Sequence, residues 1–321
     1  MSPTLLSVEG LRVGFRSADG GMVEAVRGVD FCVAPGEAVG IVGESGSGKS
    51  LSMLAVMRLL GGPARVTGGR VIFDGEDLLA ADEKRMRALR GRDIAMVFQD
   101  PQSSLNPALT IGRQITDVVR AHRGVSSAEA RRIAAESLER VGIRDAGRRL
   151  AAYPHEFSGG MRQRALIAMA IACRPRLLIA DEPTTALDVT VQAQIVDLIA
   201  ELRRELGLAV VFISHNLQLV AEIVDRVVVM YGGKVVEDGP VEAIELAPRH
   251  PYTSLLKACV PSLAGPVGPL TTIEGAPPRL GRLPAGCPFS PRCPDAAESC
   301  SHQMPPLIDQ AGHRTACWRP R

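Results

Sequence analysis

The chain has 321 residues, with 46% hydrophobic residues, 22% charged residues and a formal net charge of +2. These values are typical of a globular protein, and the length suffices for two domains. The near-neutral charge and the 3% aromatic content argue against a nucleic-acid partner. Such a partner is usually bound by a basic surface and by aromatic side chains on which its bases stack. No apolar run approaches the ~20 residues that cross a bilayer, and residues 1–4 lack a signal-peptide layout, so we expect a cytoplasmic protein.

The N-terminal residues are predicted to form an antiparallel sheet. Apolar residues run from Leu6 to Phe15 with an irregularity at Gly10, and further strands are predicted over 23–33 and 69–75. Phe15 could stack on an adenine ring or lie in the core, and the residues alone favour the core.

A glycine-rich loop follows, between a predicted buried strand at 38–42 and a predicted helix over 51–60 that stops at 61–63. The loop is Gly43-Glu44-Ser45-Gly46-Ser47-Gly48-Lys49-Ser50, and it fits the phosphate-binding pattern G-x-x-x-x-G-K-[ST]. Backbone N–H groups of such a loop and the following helix N-terminus favour a phosphate anion. Lys49 would reach the β- and γ-phosphates, and the Ser50 hydroxyl would ligate Mg²⁺.

The central part of the chain combines one more strand with a predicted helical insert at about 100–160. A buried strand is predicted over 94–98, and the amide oxygen of Gln99 at its end could reach Mg²⁺ or an attacking water. Helices are then predicted over 111–122 and 127–141.

Ser158-Gly159-Gly160 opens a further apolar helix that extends through Cys173. Ser-Gly-Gly at a helix start is a second anion-binding device, because it leaves bare N–H groups on a permissive backbone. One nucleotide in one subunit does not need two such devices, so we expect a site shared between two subunits.

Two predicted buried strands end in side chains that suit catalysis. Residues 177–182 end in Asp181, which could hold the Mg²⁺ shell, and Glu182, which could polarise the water that attacks the γ-phosphate. Asp188 follows, and the strand over 209–215 ends in His215, where a γ-phosphate contact would be useful.

In this order, the motifs resemble the ATP-binding subunits of ABC transporters over residues 5 to about 245. Residues 98–107 resemble the Gln-loop of the peptide/nickel importer family, and residues 248–256 resemble its His-Pro-Tyr segment. The likeness is greatest to dipeptide and oligopeptide importer ATPases. The implied fold is α/β: an ABC-type P-loop nucleoside triphosphatase core at 1–247 with an antiparallel β subdomain and a helical subdomain, then a small irregular Cys-rich extension at 248–321.

The resemblance also implies a mechanism. Two ATPase subunits would sandwich two ATP molecules, with the loop of one facing Ser158–Gly160 of the other. Phe15 would then stack on adenine, against the preference for the core, while Glu182 would be the catalytic base and His215 would sense the γ-phosphate. The residues predicted to contact ATP or Mg²⁺ are Phe15, Gly43, Glu44, Ser45, Gly46, Ser47, Gly48, Lys49, Ser50, Leu51, Gln99, Ser158, Gly159, Gly160, Asp181, Glu182, Asp188 and His215.

The implied partners are a second ATPase subunit (a copy or a paralogue), two transmembrane permease subunits and an extracytoplasmic substrate-binding protein. The chain would lie peripherally at the cytoplasmic face of the inner membrane. Met161 replaces the usual signature Gln and Asn216 replaces a frequent Asp, which leaves open whether both ATP sites hydrolyse. The alternatives are a soluble ABC ATPase acting on nucleic acid or ribosomes, or an importer of nickel or another small solute.

The seven cysteines fall into two groups. After a predicted linker at 263–286, in which ten of 24 residues are Gly or Pro, come Cys287, Cys293, Cys300 and Cys317. Their spacing leaves zinc, an iron–sulfur cluster and free thiols open, and the family resemblance favours a [4Fe–4S] cluster as a structural staple. Cys32, Cys173 and Cys259 are predicted to be small core residues.

Overall fold

The computed structural model describes residues 4–17, 20–185, 187–259 and 272–321. The chain divides into two compact units. The first comprises Met1–Ala34, Ala38–Ala80 and Ile213–Arg321, and the second comprises Pro35–Glu37 and Ala81–Phe212.

The described residues form both strands and helices, with short 3-10 turns at Pro154–Glu156 and Ser290–Arg292. The strands are β1 (Leu6–Arg16), β2 (Met22–Val33), β3 (Ala38–Val42), β4 (Ala64–Phe73), β5 (Glu76–Asp77), β6 (Ile94–Val97), β7 (Leu177–Asp181), β8 (Ala209–Ser214), β9 (Arg226–Tyr231), β10 (Lys234–Pro240), β11 (Ile308–Gln310) and β12 (His313–Thr315). The helices are α1 (Lys49–Val56), α2 (Glu83–Leu89), α3 (Pro101–Ser104), α4 (Ile111–Arg123), α5 (Ser127–Arg140), α6 (Ala146–Arg149), α7 (Gly159–Ile171), α8 (Val189–Leu206), α9 (Leu217–Ala221), α10 (Val241–Leu246), α11 (Pro251–Ala258) and α12 (Glu298–His302).

An antiparallel sheet in the first unit has the order β2-β1-β4-β5. The irregularity predicted at Gly10 is present, because the register shifts between Val8 and Leu11 and Gly10 has a φ of 56°. The Gly10 N–H donates to Asp30 at 2.7 Å instead of joining the ladder.

Five further strands of the first unit follow the order β11-β12-β10-β9-β3. β3 and β9 are parallel, and the other pairs are antiparallel. All five residues of β3 are buried, so the loop that follows β3 starts from a fixed point. Residues close to the C-terminus complete this sheet, because β12 pairs with β10.

The second unit holds β6, β7 and residues 209–212 of β8, in the order β8-β7-β6, together with α2–α8. Several of its helices begin where the sequence predicted, because side chains accept hydrogen bonds from free N–H groups of the first turn. Thr110 caps α4, Ser126 caps α5 and Ser158 caps α7. α4 includes the stretch predicted over 111–122, and α5 covers the stretch predicted over 127–141 except for its last residue.

Two predicted element boundaries are wrong. α1 ends at Val56 instead of Leu60, because Arg58 takes a left-handed conformation with a φ of 51° that a helix cannot continue. β4 begins at Ala64, five residues before the predicted start at Gly69, because pairing with β1 extends the strand.

The prediction that three cysteines are core residues is also wrong. Cys32 is exposed, because β2 alternates and turns Phe31 and Val33 inward instead. Cys173 and Cys259 are only half-buried.

Residues 263–271 of the predicted linker at 263–286 lie outside the described residues. Residues 1–3, for which the absence of a signal peptide was predicted, also lie outside them. From 272 to 286 the chain forms neither helix nor strand, as its Gly and Pro content predicts. In the described parts of the chain, every helix is too short or too polar to span a bilayer.

Candidate nucleotide-binding site

The glycine-rich loop connects β3 to α1, as predicted, and α1 begins at Lys49. Two of its glycines are required by geometry. Gly43 has a φ of 152°, and a Cβ there would lie 2.2 Å from the Met230 carbonyl oxygen. Gly48 has a φ of 100°, which L side chains rarely adopt, and it directly precedes the helix. The loop is therefore curled tightly against the end of β9.

The polar groups of the loop are arranged to receive an anion. Lys49 is buried, and its Nζ donates to the carbonyl oxygens of Gly43 at 2.7 Å and Glu44 at 3.0 Å. The Ser47 Oγ is buried and has no hydrogen-bond partner among the described residues. A buried hydroxyl without a partner is costly, and a phosphate oxygen could satisfy it. The loop therefore fits a nucleotide phosphate.

Glu44 in the loop is held by two side chains that the sequence reasoning missed. Its N–H donates to the Tyr252 hydroxyl oxygen at 2.8 Å, and its carboxylate accepts from Arg292 at 2.6 and 3.0 Å. Tyr252 and Arg292 lie 208 and 248 residues along the chain from Glu44. No local pattern could have indicated these contacts, because only the fold brings such distant positions together.

Two more predicted site residues belong to the first unit. Phe15 is half-buried in β1, opposite Val23 of β2 and Ala64 of β4. Part of its ring thus stays accessible, and its stacking on adenine stays a prediction. His215 is exposed and directly follows β8.

In the second unit the structure brings together Gln99 and Glu182. Gln99 Nε2 donates to Glu182 Oε2 at 3.1 Å, and Thr185 Oγ1 donates to the same oxygen at 2.9 Å. Glu182 has a φ of 45°, a strained conformation of the kind that clusters at functional sites. It directly follows Asp181, which is buried at the end of β7. Thr185 is a further member of this group that the sequence reasoning missed.

The Ser-Gly-Gly segment forms the start of α7, as predicted. Ser158 and Gly159 are exposed, and the Ser158 Oγ accepts from the Met161 N–H at 3.3 Å. A Cβ at Gly160 would lie 2.9 Å from Val191, so glycine permits the close approach of α7 and α8. Asp188 is exposed and caps α8 through the Val191 N–H at 2.9 Å.

Four cysteines line one pocket in the C-terminal part of the first unit, namely Cys287, Cys293, Cys300 and Cys317. The other residues that line this pocket include His250, Phe289 and Trp318. Burial raises the pKa of the Cys287 thiol to about 11 and also raises the pKa values of Cys293 and Cys317. Nevertheless, within the described ranges no group of three or more His, Cys, Asp or Glu side chains is placed to hold a metal ion. The structure thus brings the predicted thiols to one pocket but does not support the predicted metal site.

Two families match separate parts of the chain. The family described as ABC transporter matches residues 26–185, and the family described as oligopeptide/dipeptide transporter, C-terminal region, matches residues 236–300. A putative peptide import ATP-binding protein of Brucella abortus is 52% identical, over 98% of this chain and 97% of that protein. One of Brucella melitensis is also 52% identical, over 96% of this chain and 95% of that protein.

Solved structures of ATP-binding cassettes have the same fold. The dimeric cassette MJ0796, in a post-hydrolysis state bound to ADP and Pi, aligns with a TM-score of 0.66 and 28% identity, over 74% of this chain and 98% of that chain. The cbiO1 protein of Clostridium perfringens, part of the ABC transporter complex cbiONQ, aligns with a TM-score of 0.64 and 27% identity, over 75% of this chain and 90% of that chain. These likenesses confirm the predicted ABC-type nucleoside triphosphatase fold. The chain belongs to the ABC transporter family of ATP-binding proteins.

Proposed function

We propose that this chain hydrolyses ATP to drive the uptake of peptides through a membrane ABC importer. The observation that carries the ATPase activity is the curled loop, with its buried Lys49 and with a Ser47 hydroxyl that has no hydrogen-bond partner in the described part of the chain. The peptide substrate is supported by the relatives described as peptide import ATP-binding proteins and by the match to the oligopeptide/dipeptide transporter C-terminal region.

Each group in the loop and in the second unit then has a chemical role. The loop N–H groups and Lys49 bind the phosphates. Ser50, Gln99 and Asp181 would be the ligands of a Mg²⁺ ion, whose charge would offset that of the transferred phosphoryl group. Glu182 orients and deprotonates the attacking water. The hydrogen bonds from Gln99 and Thr185 keep its carboxylate in place before nucleotide arrives.

The remaining site residues serve recognition and assembly. Phe15 stacks on adenine, Leu51 completes the loop contacts and His215 contacts the γ-phosphate. Ser158–Gly160 faces the nucleotide of a second ATPase subunit, and Asp188 communicates between the two subunits. The exposure of Ser158, Gly159, Asp188 and His215 is consistent with surfaces that a partner subunit would cover.

The family match supports a proposed set of partners. We propose two membrane permease subunits, an extracytoplasmic substrate-binding protein and a second ATPase subunit, with this chain at the cytoplasmic face of the inner membrane. ATP binding closes the ATPase dimer and hydrolysis opens it, and these two states shift the permease between its orientations.

Replacing Glu182 tests the proposed activity. We expect Glu182→Gln to lower kcat at least ~100-fold, because it removes a general base. ATP affinity should be retained, since the phosphate-binding groups are untouched, and ATP should hold the variant as a closed dimer in size-exclusion chromatography. The matched control is Glu139→Gln on α5, which should hydrolyse ATP at the wild-type rate. Full hydrolysis by Glu182→Gln would show that another group is the base.

A pull-down with the full chain separates the importer from a soluble ATPase that acts on nucleic acid. Permease subunits should co-purify, whereas ribosomal RNA or DNA without permeases would support a soluble ATPase that acts on nucleic acid. An importer of nickel or another small solute would differ only in the substrate that its binding protein carries.

We also propose that the four-cysteine pocket holds a [4Fe–4S] cluster. The pocket is lined by four thiols, the ligands that such clusters take, and by apolar side chains that exclude water. Four thiols also suit zinc, and metal analysis distinguishes the two.

Metal analysis of anaerobically purified full-length protein tests the cluster. We expect about four iron and four acid-labile sulfide per chain, reduced strongly by Cys300→Ser and unchanged by Cys32→Ser, because Cys32 is exposed on β2. One zinc without sulfide, or no metal at all, would overturn the cluster and leave the ATPase proposal standing.

A further inference from the structure

We propose that Arg292 and Tyr252 are positioning residues of the phosphate-binding loop, and that they set its affinity for ATP through Glu44. Both come from the C-terminal part of the chain, outside the motifs that define the ATPase. The inference rests on the proposed binding of ATP at the loop.

Arg292 uses the complete donor set of its guanidinium. Its Nε donates to the Glu274 carbonyl at 2.9 Å, and its Nη2 donates to the Ile273 carbonyl at 3.1 Å and to Glu44 Oε1 at 3.0 Å. Its Nη1 donates to Glu44 Oε2 at 2.6 Å and to the Tyr231 hydroxyl at 3.1 Å. An arginine has five N–H donors, so every one is engaged and the planar fork has a single orientation.

The contact with Glu44 is a bidentate ion pair in a mostly buried setting. The Arg292 side chain is 5% exposed and the Glu44 side chain is 21% exposed. Limited exposure reduces screening by water, and two parallel N–H···O bonds fix the direction of the carboxylate.

Tyr252 holds the main chain of the same residue. Its hydroxyl oxygen accepts from the Glu44 N–H at 2.8 Å, so this amide is already bonded. Glu44 is thus held at both its backbone and its side chain, which assigns it to shaping the loop rather than to binding phosphate through its own amide.

The position of Glu44 matters to the phosphate-binding lysine. The Glu44 carbonyl accepts from Lys49 Nζ at 3.0 Å, next to the Gly43 carbonyl at 2.7 Å. Releasing Glu44 would therefore move a carbonyl oxygen that helps to hold the Lys49 ammonium beside the loop. Small misplacements of groups that orient a ligand are costly.

The side chains that hold Glu44 are themselves rigidly supported. Tyr231, Tyr252 and Phe289 form an aromatic cluster with ring centroids 4.6, 5.1 and 5.3 Å apart. Phe289 is fully buried and lies three residues before Arg292. The Arg292 guanidinium also lies 5.9 Å from the centre of the Tyr231 ring. The loop is therefore preset by a fixed scaffold, as tight binding requires.

Equilibrium binding of a fluorescent methylanthraniloyl ATP to the full chain, with steady-state ATPase kinetics, tests the proposal. We expect Arg292→Met to raise the Kd and the KM for ATP about ten-fold, with a smaller change in kcat. Arg292→Lys should recover part of the affinity, since it keeps the charge but loses the bidentate fork. Tyr252→Phe removes only the hydroxyl and should weaken binding less than Arg292→Met.

The matched control is Arg321→Met. Arg321 pairs with Asp295 in the same C-terminal region but is half-exposed and does not contact the loop. It should bind ATP like the wild type. A double-mutant cycle with Glu44→Gln should show that Arg292→Met has little further effect once the carboxylate is neutral.

The outcomes separate this inference from the proposed function. If the wild type binds the ATP analogue, Lys49→Ala does not, and Arg292→Met binds like the wild type, the positioning role is overturned and the ATPase proposal stands. If the wild type fails to bind it, the proposed function itself fails. If thermal melting shows that Arg292→Met is unfolded, Glu44→Gln and Tyr252→Phe carry the test, and unchanged affinity in both overturns the inference.

Discussion

At the scale of single residues, burial determines the protonation state of His250. It is 1% exposed, and its Nδ1 accepts from the Tyr252 N–H at 3.1 Å, which caps α11. The backbone N–H of His250 donates to Glu237 Oε2 at 3.0 Å. Burial lowers the pKa of His250 to about 3, so the ring is neutral and Nδ1 remains an acceptor.

This pKa predicts a pH-dependent stability. The folded-state pKa is depressed below the ordinary 6.5, so below pH 6.5 the unfolded chain takes up a proton that the folded chain does not. This residue should therefore lower the free energy of unfolding by about 1.4 kcal/mol per pH unit as pH falls from 6.5 towards 3. Urea unfolding at pH 7 and pH 5 measures the loss.

His250→Asn is the control, because asparagine can accept at the cap but does not titrate in this range. Its unfolding free energy should change less between the two pH values than that of the wild type. Equal changes in both proteins would show that His250 does not control the acid sensitivity.

At the scale of elements, close packing limits what a helix start can contain. Gly112 lies in the first turn of α4, and its N–H donates to the Leu150 carbonyl at 2.9 Å. A Cβ at Gly112 would lie 2.6 Å from that carbonyl oxygen. Because the obstacle is backbone, it cannot rotate away as a flexible side chain would.

We therefore expect Gly112→Ala to lower the free energy of unfolding by about 1–3 kcal/mol, despite the higher helix propensity of alanine. Gly147→Ala in α6 is the matched control, because a Cβ there meets nothing within 4 Å. It should leave stability unchanged or raise it by up to about 1 kcal/mol. Thermal or urea unfolding of the two variants measures the difference, and equal effects would contradict the packing argument.

Element prediction succeeded where the signals were local. α4 and α5 begin after Thr110 and Ser126, since an N-cap acts on N–H groups two or three residues away. It failed at the end of α1, where no Gly or Pro marks the left-handed turn at Arg58. It also failed at Cys32, whose apolar neighbours suggested a buried side chain although the strand alternation turns it outward.

At the scale of the whole molecule, the C-terminal part of the chain is a structural part of the unit that carries the phosphate-binding loop. Residues 213–321 belong to the same compact unit as the phosphate-binding loop, and β12 extends the sheet that contains β3. The buried Glu237 carboxylate of β10 accepts from the Arg249 N–H at 2.6 Å and lies 2.7 Å from His313 Nε2. The residues that follow the ATPase motifs therefore help to build the unit that carries the loop.

The sequence by itself determined the fold class and the family of this protein, and it predicted the motif residues. The loop at 43–50, the helix cap at Ser158 and the strand-end carboxylates at 181–182 depend on glycine geometry, capping and strand burial. All of these act within a few residues, so a linear pattern records them. This is why the motifs of an ABC-type core can be identified in the sequence alone.

Only the tertiary structure decided which distant side chains meet. It showed that Arg292 and Tyr252 hold Glu44, that Thr185 shares the Glu182 carboxylate with Gln99, and that the four cysteines line one pocket. Contacts across hundreds of residues depend on how sheets and turns fold back on one another. A linear pattern carries no signal for that packing, so hydrogen bonds between distant residues cannot be predicted from it.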